Sequence, residues 1–251
     1  MKNKSYIIFA LARTGSTALM ELLNTRKDLQ CIHEPFNPDN KEFSYHGQIL
    51  NEEDLFNCIR MIYENVVGFK HVWHHNGWPF EHIPDLNKLL LTRTEKIIFL
   101  NRKNILRRIV SSQLSQQAQV WHFLNSSDRR TFMNFNYRPL NLELIRWHII
   151  NERRCLLEYK KFMKDQNIEF LEVWYEDFFD ENLALEERKM NFLNVCSFLQ
   201  SKPDVNTMMH KIDALLSASN RINTPRSYRK VPNIYFIEDE FGSDETGWLL
   251  K

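Results

Sequence analysis

No run of apolar residues in the chain approaches the roughly 18 that a membrane-spanning helix needs. Lys2 and Lys4 precede an apolar run, Tyr6 to Ala12, but it ends at Arg13 with no small-residue cleavage site behind it. It reads as a buried strand rather than a signal peptide. An excess of one charge is also missing. Thirty-three Lys and Arg stand against 32 Asp and Glu, a net charge of +1. No global field therefore draws the protein to nucleic acid or to an anionic membrane, and any anion site must be local. The four cysteines, at 31, 58, 155 and 196, form no CxxC pair and no disulfide framework. They read as reduced thiols packed as small apolar groups, which implies a cytoplasmic protein. Internal repeats and low-complexity tracts are absent as well.

What is present suits an α/β domain: 251 residues, 43% of them hydrophobic, enough for a sizeable core. Tyr6 to Ala10 is a short apolar run of the buried-strand type, followed by a helical pattern with Leu19, Leu22 and Leu23 on one face. Leu29 to His33, Val66 to Trp73, Lys96 to Asn101 and Ile168 to Tyr175 read as further strands. Glu52 to Asn65, a stretch from the end of the fourth strand-like run to about His122, Leu142 to Lys164 and Glu186 to Leu199 read as helices. Residues 125–140 are polar, contain Pro139 and read as a loop or lid; from Asn220 the tail, with Pro225 and Pro232, reads as irregular. Strands alternating with helices predict a P-loop-like three-layer α/β fold, its mostly parallel sheet covered by helices on both faces, in one domain over 1–251.

Two segments carry anion-binding chemistry. In the first, Arg13-Thr14-Gly15-Ser16-Thr17 lies where a strand turns into a helix, so backbone N–H groups and the positive end of the helix dipole converge there. Gly15 lets the backbone approach a phosphate, Ser16 and Thr17 add hydroxyls, and Arg13 adds a fork of charged donors. The Lys of a Walker A loop is missing, as is its first Gly. The plainer alternative is a helix capped by Thr14 or Ser16. In the second, Arg102 ends a strand and Ser111 lies on the helix behind it, a pair able to grip one phosphate; alone, it reads more simply as a solvated Arg and an exposed helix Ser.

In this order, the segments resemble the sulfotransferase superfamily that uses the donor PAPS, and more closely its bacterial trehalose-sulfotransferase-like branch. The R-[ST]-G-S-T loop of that branch matches Arg13 to Thr17. Its R-x(8)-S element matches Arg102 to Ser111, and its Q-x(2–3)-W-H ending matches Gln117 to His122. Gly68-Phe69-Lys70 is similar to its G-V-K strand, and Val173 to Asp177 to the superfamily's V-x-Y-E-D. The resemblance runs from about residue 5 to 200; the last third, including Arg226 and Arg229, matches loosely.

It implies that Arg13 to Thr17 bind the 5′-phosphosulfate of PAPS and that Arg102 and Ser111 hold its 3′-phosphate, with PAP as product. Glu34, extended by the following Pro35, is the implied base; Lys70 and Arg13 are the implied charges at the transferred group. No metal is needed where Arg and Lys supply that charge. His33, His71, Trp73 and Trp121 are candidates for lining the pocket of a small-molecule hydroxyl acceptor, a sugar or a hydroxylated natural product. His71, His74 and His75 suggest zinc only weakly, because they fall on a strand and before the breaker Gly77-Trp78-Pro79. Tyr175 to Asp177 read as a cap and turn. Neither nucleic acid nor membrane is an expected partner, and a homodimer stays open. The alternatives are a kinase-like phosphotransferase using ATP and magnesium, and a non-catalytic nucleotide-binding module.

Overall fold

A computed structural model describes residues 5–40, 44–83, 85–121, 126–180, 182–201, 213–215 and 225–250. Its centre is a five-stranded, wholly parallel sheet with the order β2-β3-β1-β4-β5. The strands are β1 (Tyr6–Leu11), β2 (Cys31–His33), β3 (Gly68–Trp73), β4 (Lys96–Asn101) and β5 (Phe170–Trp174). β1, β3 and β4 are buried at every position, as expected of parallel strands covered on both faces.

The chain divides into two compact units. Residues 1–101 and 155–217 form the first; residues 102–154 and 218–251 form the second. In the first, side chains alternate across the sheet. Tyr6, Ile8 and Ala10 pack with Leu19, Leu22 and Leu23 of α1 (Ser16–Asn24). Ile7, Phe9 and Leu11 pack instead with α2 (Glu52–Asn65) and α3 (Leu86–Thr92). That gives the expected three layers. Between β3 and β4, α3 has no counterpart in the sequence reading.

The second unit holds α4 (Ile105–Ala118), α5 (Ser126–Asn134) and the part of α6 (Leu142–Asp165) before Cys155. In the first unit, α7 (Glu176–Phe179) and α8 (Leu185–Phe198) follow β5; the second unit is completed by α9 (Pro225–Tyr228) and α10 (Ile234–Phe241). Its apolar cluster joins Leu106, Ile109, Val110 and Leu114 to Phe132, Ile145, Ile234 and Ile237. A buried ion pair, Arg108 Nε to Glu152 Oε2 at 2.9 Å, ties α4 to α6.

Three expectations are corrected here. Part of the loop over 125–140 is the helix α5, because Phe132 is fully buried and Tyr137 Oη donates to its carbonyl (2.9 Å). The tail read as irregular contains α10, whose Ile234 and Ile237, three positions apart, share one buried face. The helix expected to reach about His122 ends at Ala118, where Gln119 adopts φ 53° and donates its backbone N–H to Ser115. His122, residue 125, residues 220–224 and the Arg226 side chain lie outside the described residues. No helix among the described residues is long and apolar enough to cross a membrane.

Candidate active site

The site grows from the register of three strands. β3 sits between β1 and β2, with Ile8, Lys70 and His33 as direct partners across the sheet. Neighbouring partners in parallel strands project to the same face, which is the face that α1 covers. Lys70 is therefore delivered under the first turn of α1 with its side chain 1% exposed. A lone buried ammonium is costly. Here its Nζ lies 2.6 Å from Glu34 Oε1, 2.8 Å from Thr17 Oγ1 and 2.8 Å from His33 Nε2. Three N–H groups meet three acceptors.

Glu34 follows directly on β2 and is held from several sides. Asn37 Nδ2 donates to its Oε2 (2.6 Å), and Asn40 Nδ2 donates to the carbonyls of His33 (2.9 Å) and Glu34 (3.2 Å). Its φ is 39° rather than extended, so the Pro35 constraint expected from sequence does not set its φ. Burial pushes its carboxyl up, but the Lys70 ammonium, with His33 and Asn37, outweighs burial and brings it to about 2. Burial draws Lys70 below the ordinary lysine value against the pull of Glu34. Glu34 is ionised at neutral pH.

The loop from β1 to α1 supplies the second component. Arg13 (φ 67°) and Gly15 (φ 83°) are left-handed. For Arg13 that conformation costs on the order of 1–3 kcal/mol, of the kind stored at functional sites. Gly15 is the N-cap of α1 and has no side chain to cap it with; Thr14 Oγ1 donates back to the Leu11 carbonyl (2.8 Å). This corrects the plainer reading of Thr14 or Ser16 as the cap. Gly15 is also required by its surroundings, since a Cβ there would meet Tyr175 Cδ2 at 2.7 Å.

Tyr175 is the aromatic of the V-x-Y-E-D match. Its N–H donates to Asn101 (2.8 Å), and Asp177 Oδ2 accepts from the Trp174 N–H (3.0 Å). That segment is the expected turn, though Tyr175, at the N-cap position of α7, makes no side-chain cap; its ring also walls the loop.

The remaining candidates lie elsewhere. His71 and Trp73 alternate onto the opposite face of β3, among core aromatics. His71 is 1% exposed, donates from Nε2 to Asn87 Oδ1 (2.7 Å) and stacks on Phe9 and Phe80. Burial takes it down to about 4. Trp73 is fully buried between Phe9 and Tyr159. His74 packs edge-on against Trp78.

Arg102 and Ser111 belong to the second unit. Ser111 is buried in α4, and Arg102 is near enough for its charge to act on Arg108. The first-turn amides of α4 are already used: Arg107 N–H donates to the Asn104 side chain (2.8 Å) and Leu106 N–H to Thr246 (2.9 Å). Any anion contact in this segment would thus come from side chains rather than from the helix end. Trp121 is 41% exposed, and Arg229 is exposed.

Sequence reasoning missed Asn37 and Asn40. Their only signal was the turn-forming run Asn37-Pro38-Asp39-Asn40 behind Glu34.

The first-unit arrangement joins a helix N-terminus whose N-cap is a glycine, a buried cation under its first turn, and a carboxylate and an imidazole on the far side of that cation. It can hold an anion and handle a proton beside it. Compared with known proteins, the chain matches no family model and no curated protein sequence.

Proposed function

We propose that the protein is a PAPS-dependent sulfotransferase that places a sulfuryl group on the hydroxyl of a small molecule, a sugar or a hydroxylated natural product, and releases PAP. One observation carries this reading: the buried Lys70 ammonium bridges Thr17 in the first turn of α1 and the Glu34–His33 pair. Transfer of this kind needs positive charge on the leaving side and a proton acceptor on the attacking side, close together. The residues Arg13 to Thr17 fit the 5′-phosphosulfate, with a glycine as the N-cap of α1. Arg102 and Ser111 enter as the 3′-phosphate contacts on their sequence motif.

In the reaction the acceptor oxygen attacks sulfur and the sulfur–oxygen bond to the 5′-phosphate breaks. The electron pair leaves on the phosphate oxygen, where Lys70 and Arg13 stabilise it, and the hydroxyl proton passes to the Glu34–His33 side. Four free, buried cysteines support the cytoplasm as its site of action.

The test is to incubate the protein with ³⁵S-labelled PAPS and a metabolite extract, with γ-labelled ATP and magnesium in parallel. The expected outcome is label transfer from PAPS alone to a hydroxylated compound. Transfer from ATP alone would replace this reading with a phosphotransferase.

A further inference from the structure

We propose that His33, rather than Glu34, takes the proton of the attacking hydroxyl, and that Lys70 releases His33 to do so when an anionic donor occupies the Arg13–Thr17 loop. The proposal rests on the sulfuryl-transfer reading and deepens it. Lys70 has three N–H groups and three acceptors, so a donor oxygen arriving at the loop is a fourth, and one of the three must yield.

The three are not equally bound. Glu34 Oε1 is a buried carboxylate at 2.6 Å, and separating it from Lys70 would leave two buried charges unpaired. Thr17 Oγ1 lies in the first turn of α1, beside the place where the anion docks, so it stays within reach of a Lys70 that turns to that anion. His33 is the weakest holder. Its ring is a neutral acceptor, and the side chain is 38% exposed, so water replaces the lost bond at little cost.

Facing an ammonium, Nε2 must be the unprotonated nitrogen of the neutral ring. Once Lys70 turns to the donor, that lone pair is presented next to the transferred group. Glu34 keeps its ion pair, and a carboxyl held so low is a poor base at neutral pH. Its part is electrostatic: Oε1 lies 3.8 Å from Nε2 and stabilises the imidazolium that forms. Cys31, Arg13 and Glu21 are the other titratable or charged groups acting on Lys70. The step balances, with the proton moving from the acceptor oxygen to Nε2 and the electron pair of the broken sulfur–oxygen bond moving to the leaving phosphate.

The experiment uses the full chain labelled with ¹⁵N-histidine, with PAP as the probe, and hydrolysis of PAPS with water as acceptor as the kinetic assay. PAP binding is expected to shift the His33 Nε2 resonance and raise its titration midpoint. His33→Gln keeps an acceptor for Lys70 but no basicity. It should slow hydrolysis by about 10²–10⁴-fold, remove the acid limb of the pH profile and leave PAP affinity unchanged. Added imidazole should restore part of the rate in His33→Ala. If PAP binds while Nε2 stays unmoved, or His33→Gln turns over like wild type, the proposal is overturned and the sulfotransferase reading stands. If wild-type protein does not bind PAP, both fall.

Discussion

At the scale of single residues, burying an ammonium costs several kcal/mol unless charge and hydrogen bonds meet it. Lys70, 1% exposed, meets both through Glu34, Thr17 and His33. Glu34 therefore has a structural part, and its removal should register in stability. Glu34→Gln leaves the Lys70 charge in place without its counter-ion, a situation that costs about 3–5 kcal/mol. Adding Lys70→Met removes the stranded charge and should recover most of that loss, read from urea unfolding midpoints. A double variant as unstable as the single one would show that the loss does not come from a stranded Lys70 charge. The pair also sets an acid dependence. Glu34 titrates at about 2 in the fold against an ordinary 4.5. Its contribution is complete above about 4.5 and is lost as pH falls towards 2.

At the scale of elements, β3 carries two buried titratable side chains on opposite faces, Lys70 towards α1 and His71 towards Phe9 and Phe80. His71 sits at about 4 against an ordinary 6.5, so the unfolded chain binds its proton first on acidification. Stability should fall as pH drops from 6.5 to 4, ahead of the Glu34 phase. His71→Gln can retain a bond to Asn87 but cannot titrate, and it should flatten that part of a plot of unfolding free energy against pH; an unchanged slope would remove His71 as its source.

The legibility of elements followed their local pattern. Glu52–Asn65 and Lys96–Asn101 have the bounds expected from sequence, because one shows clean helical phasing and the other an unbroken apolar run. α5 and α10 were illegible for the opposite reason. α5 has a single buried residue, Phe132, in an otherwise polar stretch, and α10 has two, Ile234 and Ile237, beyond two prolines. What makes them helices is packing against α4 and α6 in the second unit, which no local pattern announces.

At the scale of the whole molecule, the parallel sheet and its two helical layers were readable from strand–helix alternation, and the loop Arg13 to Thr17, Glu34 and Lys70 from motif order. The contacts that turn them into a site were not. They depend on β2 pairing with β3 so that His33 faces Lys70, and on a left-handed Glu34 held by Asn37 and Asn40. Register between strands distant in sequence, and backbone strain fixed by a turn, are products of the assembled fold.

The claim that the protein uses a nucleotide phosphorylated at both the 5′ and 3′ positions is tested most directly by calorimetric titration of PAP against ADP, in wild type and in Arg102→Ala. One charge-assisted phosphate contact is worth about 1.5–3 kcal/mol. PAP should therefore bind about ten- to a hundredfold more tightly than ADP, and Arg102→Ala should erase most of that margin. Equal affinities for PAP and ADP in the wild type would contradict the account.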